Sequence, residues 1–134
     1  MLHFLALLLS LYPTSPDLRG CVRYWQRTLS LEEWRITVQV VHRSVLDEGT
    51  LGDIAPDAVR RTAVIRVLRE ADYDLPRRQA RADQRLTIAH EMVHLDRLAR
   101  RGAGAWTDEG EAADETLHLL RAHRRWRELS VVEP

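Results

Sequence analysis

The 134-residue chain is predicted to fold as a single α+β domain, on three observations. Trp34–Val41 alternates large apolar and polar side chains at the two-residue period of a strand. Arg61–Leu68 is rich in β-branched residues, with Ala63, Ile65 and Val67 alternating against Val64 and Leu68. Arg81–Arg100 then continues without Gly or Pro and places apolar residues at helical spacing. The order is helix, helix, strand, loop, strand, helix, helix, with no internal repeat. A small twisted sheet packed on helices is the expected architecture.

Composition sets the outer limits. With 45% hydrophobic and 30% charged residues the chain can bury a core, since a domain of this size hides about two-thirds of its unfolded surface. Twenty basic side chains against twenty acidic ones give a net charge of zero, so no overall field favours nucleic acid or an anionic membrane as partner. The single Cys21 excludes an internal disulfide and any CxxC centre, and a reducing, cytoplasmic compartment follows most simply.

Taken in order, Met1–Leu11 is an apolar run without a preceding base, and Tyr12–Pro16 lacks the small residues of a cleavage site. It is too short to span a bilayer. A first core helix is expected there in preference to an export signal. Leu18, Cys21, Val22, Trp25 and Leu29 mark an amphipathic helix over Leu18–Leu29. In the following strand Trp34, Ile36, Val38 and Val40 share one face. Asp47–Asp57, with two Gly, a Pro and several acids, reads as a turn with a short edge strand through Leu51, and Tyr73–Pro76 breaks the pattern. Gly102 and Gly104 stop the long helix. A last helix is expected from Thr107 or Asp108 to about Leu129, its acids early and Arg121, Arg124, Arg125 and Arg127 late, as the helix dipole favours.

The long helix contains His90-Glu91-Met92-Val93-His94, an HExxH pattern. Two His four positions apart project from one helical face, so both imidazoles can reach one divalent ion, and the intervening Glu can take a proton from water without being a ligand. With six His and ten Glu, chance placement has an expectation of roughly 0.02 over the chain. On a helical wheel Leu86, Ala89 and Val93 form one apolar stripe and Ile88, Met92, Leu95 and Ala99 another, so the helix is expected to be buried on both sides. Unpartnered imidazoles and a carboxylate inside such an element would cost several kcal/mol, on the order of the usual penalty for buried polar groups. Metal coordination removes that cost.

A catalytic zinc site needs a third protein ligand and an open position. Arg97 and Arg100 stand where HExxHxxGxxH would have Gly and His, so the acidic start of the last helix is the supplier. Its wheel puts Ala112, Ala113, Leu117, Leu119 and Leu120 on the core side with Glu109 near the centre. Packing favours Glu109, with Glu111 and Glu115 as alternatives; Glu111 can instead close a capping box with Asp108.

Thr87–His94, followed by Glu109-Gly110-Glu111-Ala112-Ala113 and Leu119-Leu120, resembles the ImmA/IrrE-type zinc metallopeptidases of bacteria and their mobile elements. Leu29–Val38, with its Trp-led strand, and Ala63–Ile65 are also similar to small phage-type metallopeptidases. The resemblance covers about Leu29 to Leu120. It implies a minimal zincin-like domain, a Zn2+ cofactor and a protein or peptide substrate. It further implies His90 and His94 as zinc ligands, Glu91 as general base and Glu109 as third ligand. The family Asn after the acidic pair is Ala113 here. The expected chemistry is peptide-bond hydrolysis, with the edge strand near Leu51 holding an extended peptide by β-augmentation. The alternatives are a zinc-binding regulatory or structural domain without turnover, and a helical adaptor whose HExxH is incidental. His118 and His123, Tyr73, Trp25, Trp34, Trp106 and the Arg121–Arg127 cluster are read as structural or solvated residues.

Overall fold

The computed structural model describes residues 11, 12, 14–102 and 109–122. Helix α1 (Pro16–Thr28) begins with Pro at its first position, where a missing N–H costs nothing, and the Ser15 hydroxyl accepts from the Leu18 N–H at 3.2 Å. It buries Leu18, Cys21, Val22 and Trp25, as the sequence periodicity predicts. Ser30, in the left-handed region at φ 57°, turns the chain, and Gln26 clasps the Leu31 and Trp34 carbonyls at 3.1 and 2.8 Å.

Strands β1 (Leu11–Tyr12), β2 (Arg35–Val41), β3 (Gly52–Asp57) and β4 (Thr62–Leu68) form a mixed sheet in the order β1-β2-β4-β3. β2 and β4 run parallel from Arg35↔Thr62 to Val41↔Leu68, whereas β3 pairs antiparallel with β4 from Gly52↔Val67 to Asp57↔Thr62. β3 and β4 make a hairpin in which Asp57 Oδ1 accepts from the Val59 and Arg60 N–H groups, both at 3.1 Å. Period-two alternation puts Ala63, Ile65 and Val67 toward the helices, and Val41 and Leu68 toward a separate small cluster with Leu46, Val45 and Tyr73.

Two sequence expectations change here. β3 is a full six-residue strand containing Pro56, not a short segment through Leu51; it lies at the sheet edge, where a Pro without an N–H is tolerated. Leu11 belongs to β1, paired with Val41, and the rest of the expected N-terminal core helix lies outside the described residues.

Helix α2 (Arg77–Arg101) is the spine of the domain. It starts four residues earlier than its apolar pattern suggests, and Arg77 and Arg81 in its first turns pair with Glu70 at 3.0 and 2.7 Å. Gly102, at φ 80°, ends it, in a conformation that L side chains rarely adopt. Ile88, Ala89, Met92, Val93 and Leu95 are buried, so the helix is covered on both sides as expected, except that Ala99 is exposed beyond the packed region. α1, the sheet and α3 (Glu109–Ala122) all contribute to one core, Leu120 being the α3 anchor. Gln84 donates to the Leu68 carbonyl at 2.9 Å and ties the spine to the end of β4.

The approach of β3 to α2 is close. A Cβ on Gly52 would collide with the Thr87 methyl and stand 2.6 Å from the Arg66 carbonyl oxygen. Backbone cannot yield as a surface side chain does. Gly52→Ala is therefore expected to lower unfolding free energy by about 1–3 kcal/mol, the usual cost of overpacking, seen as a lower urea midpoint at unchanged slope.

Candidate metal centre

The site is assembled from two helices and the start of an edge strand. α2 projects His90 and His94 from one face, a consequence of four-residue spacing alone. Their Nε2 atoms lie 3.1 Å apart, with the rings perpendicular. The first residue of α3 completes the group: Glu109 oxygens stand 2.8 Å from His90 Nε2 and 3.1 Å from His94 Nε2. Tetrahedral zinc, with ligand bonds near 2.0–2.1 Å, separates its ligand atoms by roughly 3.3 Å, so this trio needs to open only by a few tenths of an ångström. Two facing imidazole nitrogens and a carboxylate are the donor set zinc takes. Among the described residues, these three form a group able to hold a metal ion.

Of the three candidate acids, the structure brings Glu109 to the histidines and engages the other two elsewhere. Glu111 and Glu115 both pair with Arg97, the latter at 3.0 Å, and Glu115 also accepts from Arg100 at 3.0 Å. Arg97 is only 3% exposed, so its charge requires those partners. Arg100 further bonds the buried Asp96 at 2.8 Å. The wheel places Glu109 near the centre of the buried face of α3; instead its side chain is 77% exposed and reaches the histidines from the helix end. Thr116 occupies the buried face and Ala113 is exposed. Asp108, the expected capping partner, lies outside the described residues.

Glu91 is buried beside the trio without belonging to it. Burial pushes its carboxyl up to about 8, and the charges of Glu109 and of Asp53 on β3 push the same way. Asp53 is itself held by Arg66, its cross-strand neighbour, with Arg66 Nε donating at 2.8 Å. Burial raises Glu109 too, but the His90 hydrogen bond and the His94 and His90 charges more than offset it, leaving that carboxylate below its ordinary range.

A cavity of about 450 Å³ opens on His90, Glu91 and Glu109. Gly49–Gly52 form one wall, α2 another, and Leu117 and Leu120 of α3 a third. Leu51, at the entrance to β3, is one of the few exposed large apolar side chains described. Tyr73 packs in the small cluster with Val41, Leu46 and Leu68 and does not line this cavity. Trp25 and Trp34 are core residues, and His118 is exposed and outside the cavity lining. His123, Trp106 and Arg124–Arg127 lie outside the described residues.

Sequence reasoning passed over Asp83, Thr87, Arg97, Asp53 and Gly52. For the first three a signal existed: Asp83, Thr87 and His90 recur at four and three residues on α2, and Arg97 follows His94 at three. Asp53 and Gly52 have none, because their neighbours are distant in sequence. No helix among the described residues is long and apolar enough to cross a membrane. Comparison with family models, curated proteins and solved structures returns no match for this chain.

Proposed function

We propose that the protein is a zinc-dependent metallopeptidase of minimal zincin-like form, similar to the ImmA/IrrE-type and small phage-type enzymes. The observation that carries this is the convergence of His90 Nε2, His94 Nε2 and the two carboxylate oxygens of Glu109, Oε2 2.8 Å from His90, Oε1 3.1 Å from His94 and the two Nε2 atoms 3.1 Å apart, beside the buried Glu91 at the mouth of a cavity. These three residues would hold the ion. When bound, zinc supplies Lewis acidity toward water and the scissile carbonyl.

The chain's own residues do the rest. Glu91 accepts the proton of the attacking water on a carboxylate oxygen and returns it to the departing amine. Burial on α2 keeps this carboxyl away from bulk solvent, where it would be a much weaker base for a neutral-pH reaction. β3 has a neighbouring strand on one side alone among the described residues, so its free edge can hydrogen-bond an extended peptide leading into the cavity.

Purified protein is expected to carry one zinc per chain by elemental analysis. It is expected to cleave unstructured peptides, to lose cleavage on chelation and to regain it when zinc is restored. A folded preparation that neither contains nor takes up zinc overturns the proposal. Zinc binding without cleavage of any peptide reduces it to a metal-binding domain.

A further inference from the structure

The cavity beside the metal trio has apolar walls that the hydrolytic chemistry leaves unused. On α3, Glu109, Ala113, Leu117 and Leu120 follow one another at four, four and three residues and line it as a single row. On α2, Leu86 stands one turn before His90 on the same face and lines it too. Each helix thus carries a candidate metal ligand and then leucine along one stripe. A peptide whose carbonyl reaches the ion lays a neighbouring side chain against those leucines.

Leu120 is fully buried and makes a fixed floor, whereas Leu86 and Leu117 are only partly buried and Leu51, just before β3, is 41% exposed. Apolar side chains that face solvent are normally scattered singly; here three from three different elements meet at one cavity. Its volume of about 450 Å³ falls within the roughly 300–1,000 Å³ of pockets that enclose small organic ligands. Ala113, exposed and ending at Cβ, leaves the space between Glu109 and Leu117 open. The carboxyl groups of Glu91 and Glu109 line the cavity, and among the described residues no Arg does. An acidic side chain would meet repulsion there and no partner. An uncharged apolar one gains the hydrophobic transfer without giving up the hydration of a charge.

Resting on the peptidase reading above, we propose that this cavity is the subsite for a large apolar side chain, Leu or Phe, next to the scissile bond of the substrate, with Leu86, Ala113 and Leu117 as its specificity-determining residues. Leu86 and Leu117 lose water when such a side chain lies between them, and a substrate Ala leaves them wet. Ala113 sets how large a side chain enters, since a longer residue at that position takes up the same space.

The test uses hexapeptides of Gly and Ser, blocked at both ends, in which one central residue is Leu, Phe, Ala, Asp or Lys. Cleavage by zinc-loaded wild-type protein is read by mass spectrometry, which also locates the cut. Binding is read by calorimetry with Glu91→Gln, with and without added zinc. The Leu and Phe peptides are expected to be cut beside that residue, and bound, at least about tenfold better than the Ala peptide, the lower end of what one missing methylene costs in a hydrophobic pocket. The Asp and Lys peptides are expected to do no better than Ala. Ala113→Phe, at an exposed position away from the core, is expected to erase the advantage of Leu over Ala. Leu117→Ala is expected to move the preference from Leu toward Phe. Equal handling of the Leu and Ala peptides by wild type, a preference for Asp or Lys, or a Leu advantage that survives in folded Ala113→Phe overturns the subsite. The wild-type comparison needs no variant, so it stands even if a variant fails to fold. Apolar preference in binding without cleavage keeps the subsite and sinks the peptidase; cleavage without preference does the reverse.

Discussion

Glu91→Gln is expected to retain zinc and to lower kcat/KM for peptide hydrolysis by about 10²–10⁴, the range associated with one positioned general base. The amide has the size of the carboxyl but cannot accept and return a proton. Zinc content should be unchanged, because the proposed ligand trio is His90, His94 and Glu109 and does not include Glu91. Nor should the fold suffer: Glu91 is buried, and a neutral amide costs less to desolvate there than a carboxylate. Steady-state kinetics on zinc-loaded protein, with metal content measured on the same samples, check both halves. Cleavage at the wild-type rate would show that another group takes the proton.

The second large effect separates the three acids of α3. Glu109→Ala is expected to weaken zinc binding by at least about 100-fold, since loss even of a residue supporting a ligand costs 10–100-fold. Its effect on the metal-free fold should be small, because the side chain is 77% exposed. Joint replacement of Glu111 and Glu115 by Gln should do the opposite. It removes two carboxylates that pair with Arg97, whose charge is almost wholly buried, and stability should fall by about 2–4 kcal/mol, somewhat less than for a fully buried pair because the acids are partly solvated. Competition titration with a chromophoric chelator measures the first, and urea denaturation in the absence of metal the second. If Glu115→Gln alone removed zinc while Glu109→Ala did not, the ligand assignment would be wrong.

These contrasts mark where sequence sufficed. The HExxH pair is legible because α2 alone creates it: four residues make a little more than one turn, and no other element is needed to bring the rings together. β2 and β4 are legible for a similar reason, since alternation at Trp34–Val41 and Ala63–Val67 records which face meets the helices. β3 is less so. Its Gly, Asp and Pro resemble turn residues, and what makes it a strand is the hydrogen-bonding edge of β4.

The proposed third ligand shows the limit most clearly. A wheel for α3 ranks Glu109, Glu111 and Glu115 by burial, assuming that functional side chains face the core. The choice among them rests on how α3 is docked, which Arg97 helps set by taking Glu111 and Glu115 and leaving Glu109 at the helix end beside the histidines.

The amino-acid order by itself therefore determined the elements whose cause is periodic and short-ranged: the amphipathic α1, the alternating strands and the paired imidazoles of α2. Only the tertiary structure decided which carboxylate joins them and how closely β3 lies on α2 at Gly52. Periodicity is a property of neighbours along the chain, whereas pairing of charges and exclusion of water depend on segments far apart in sequence meeting at fixed distances.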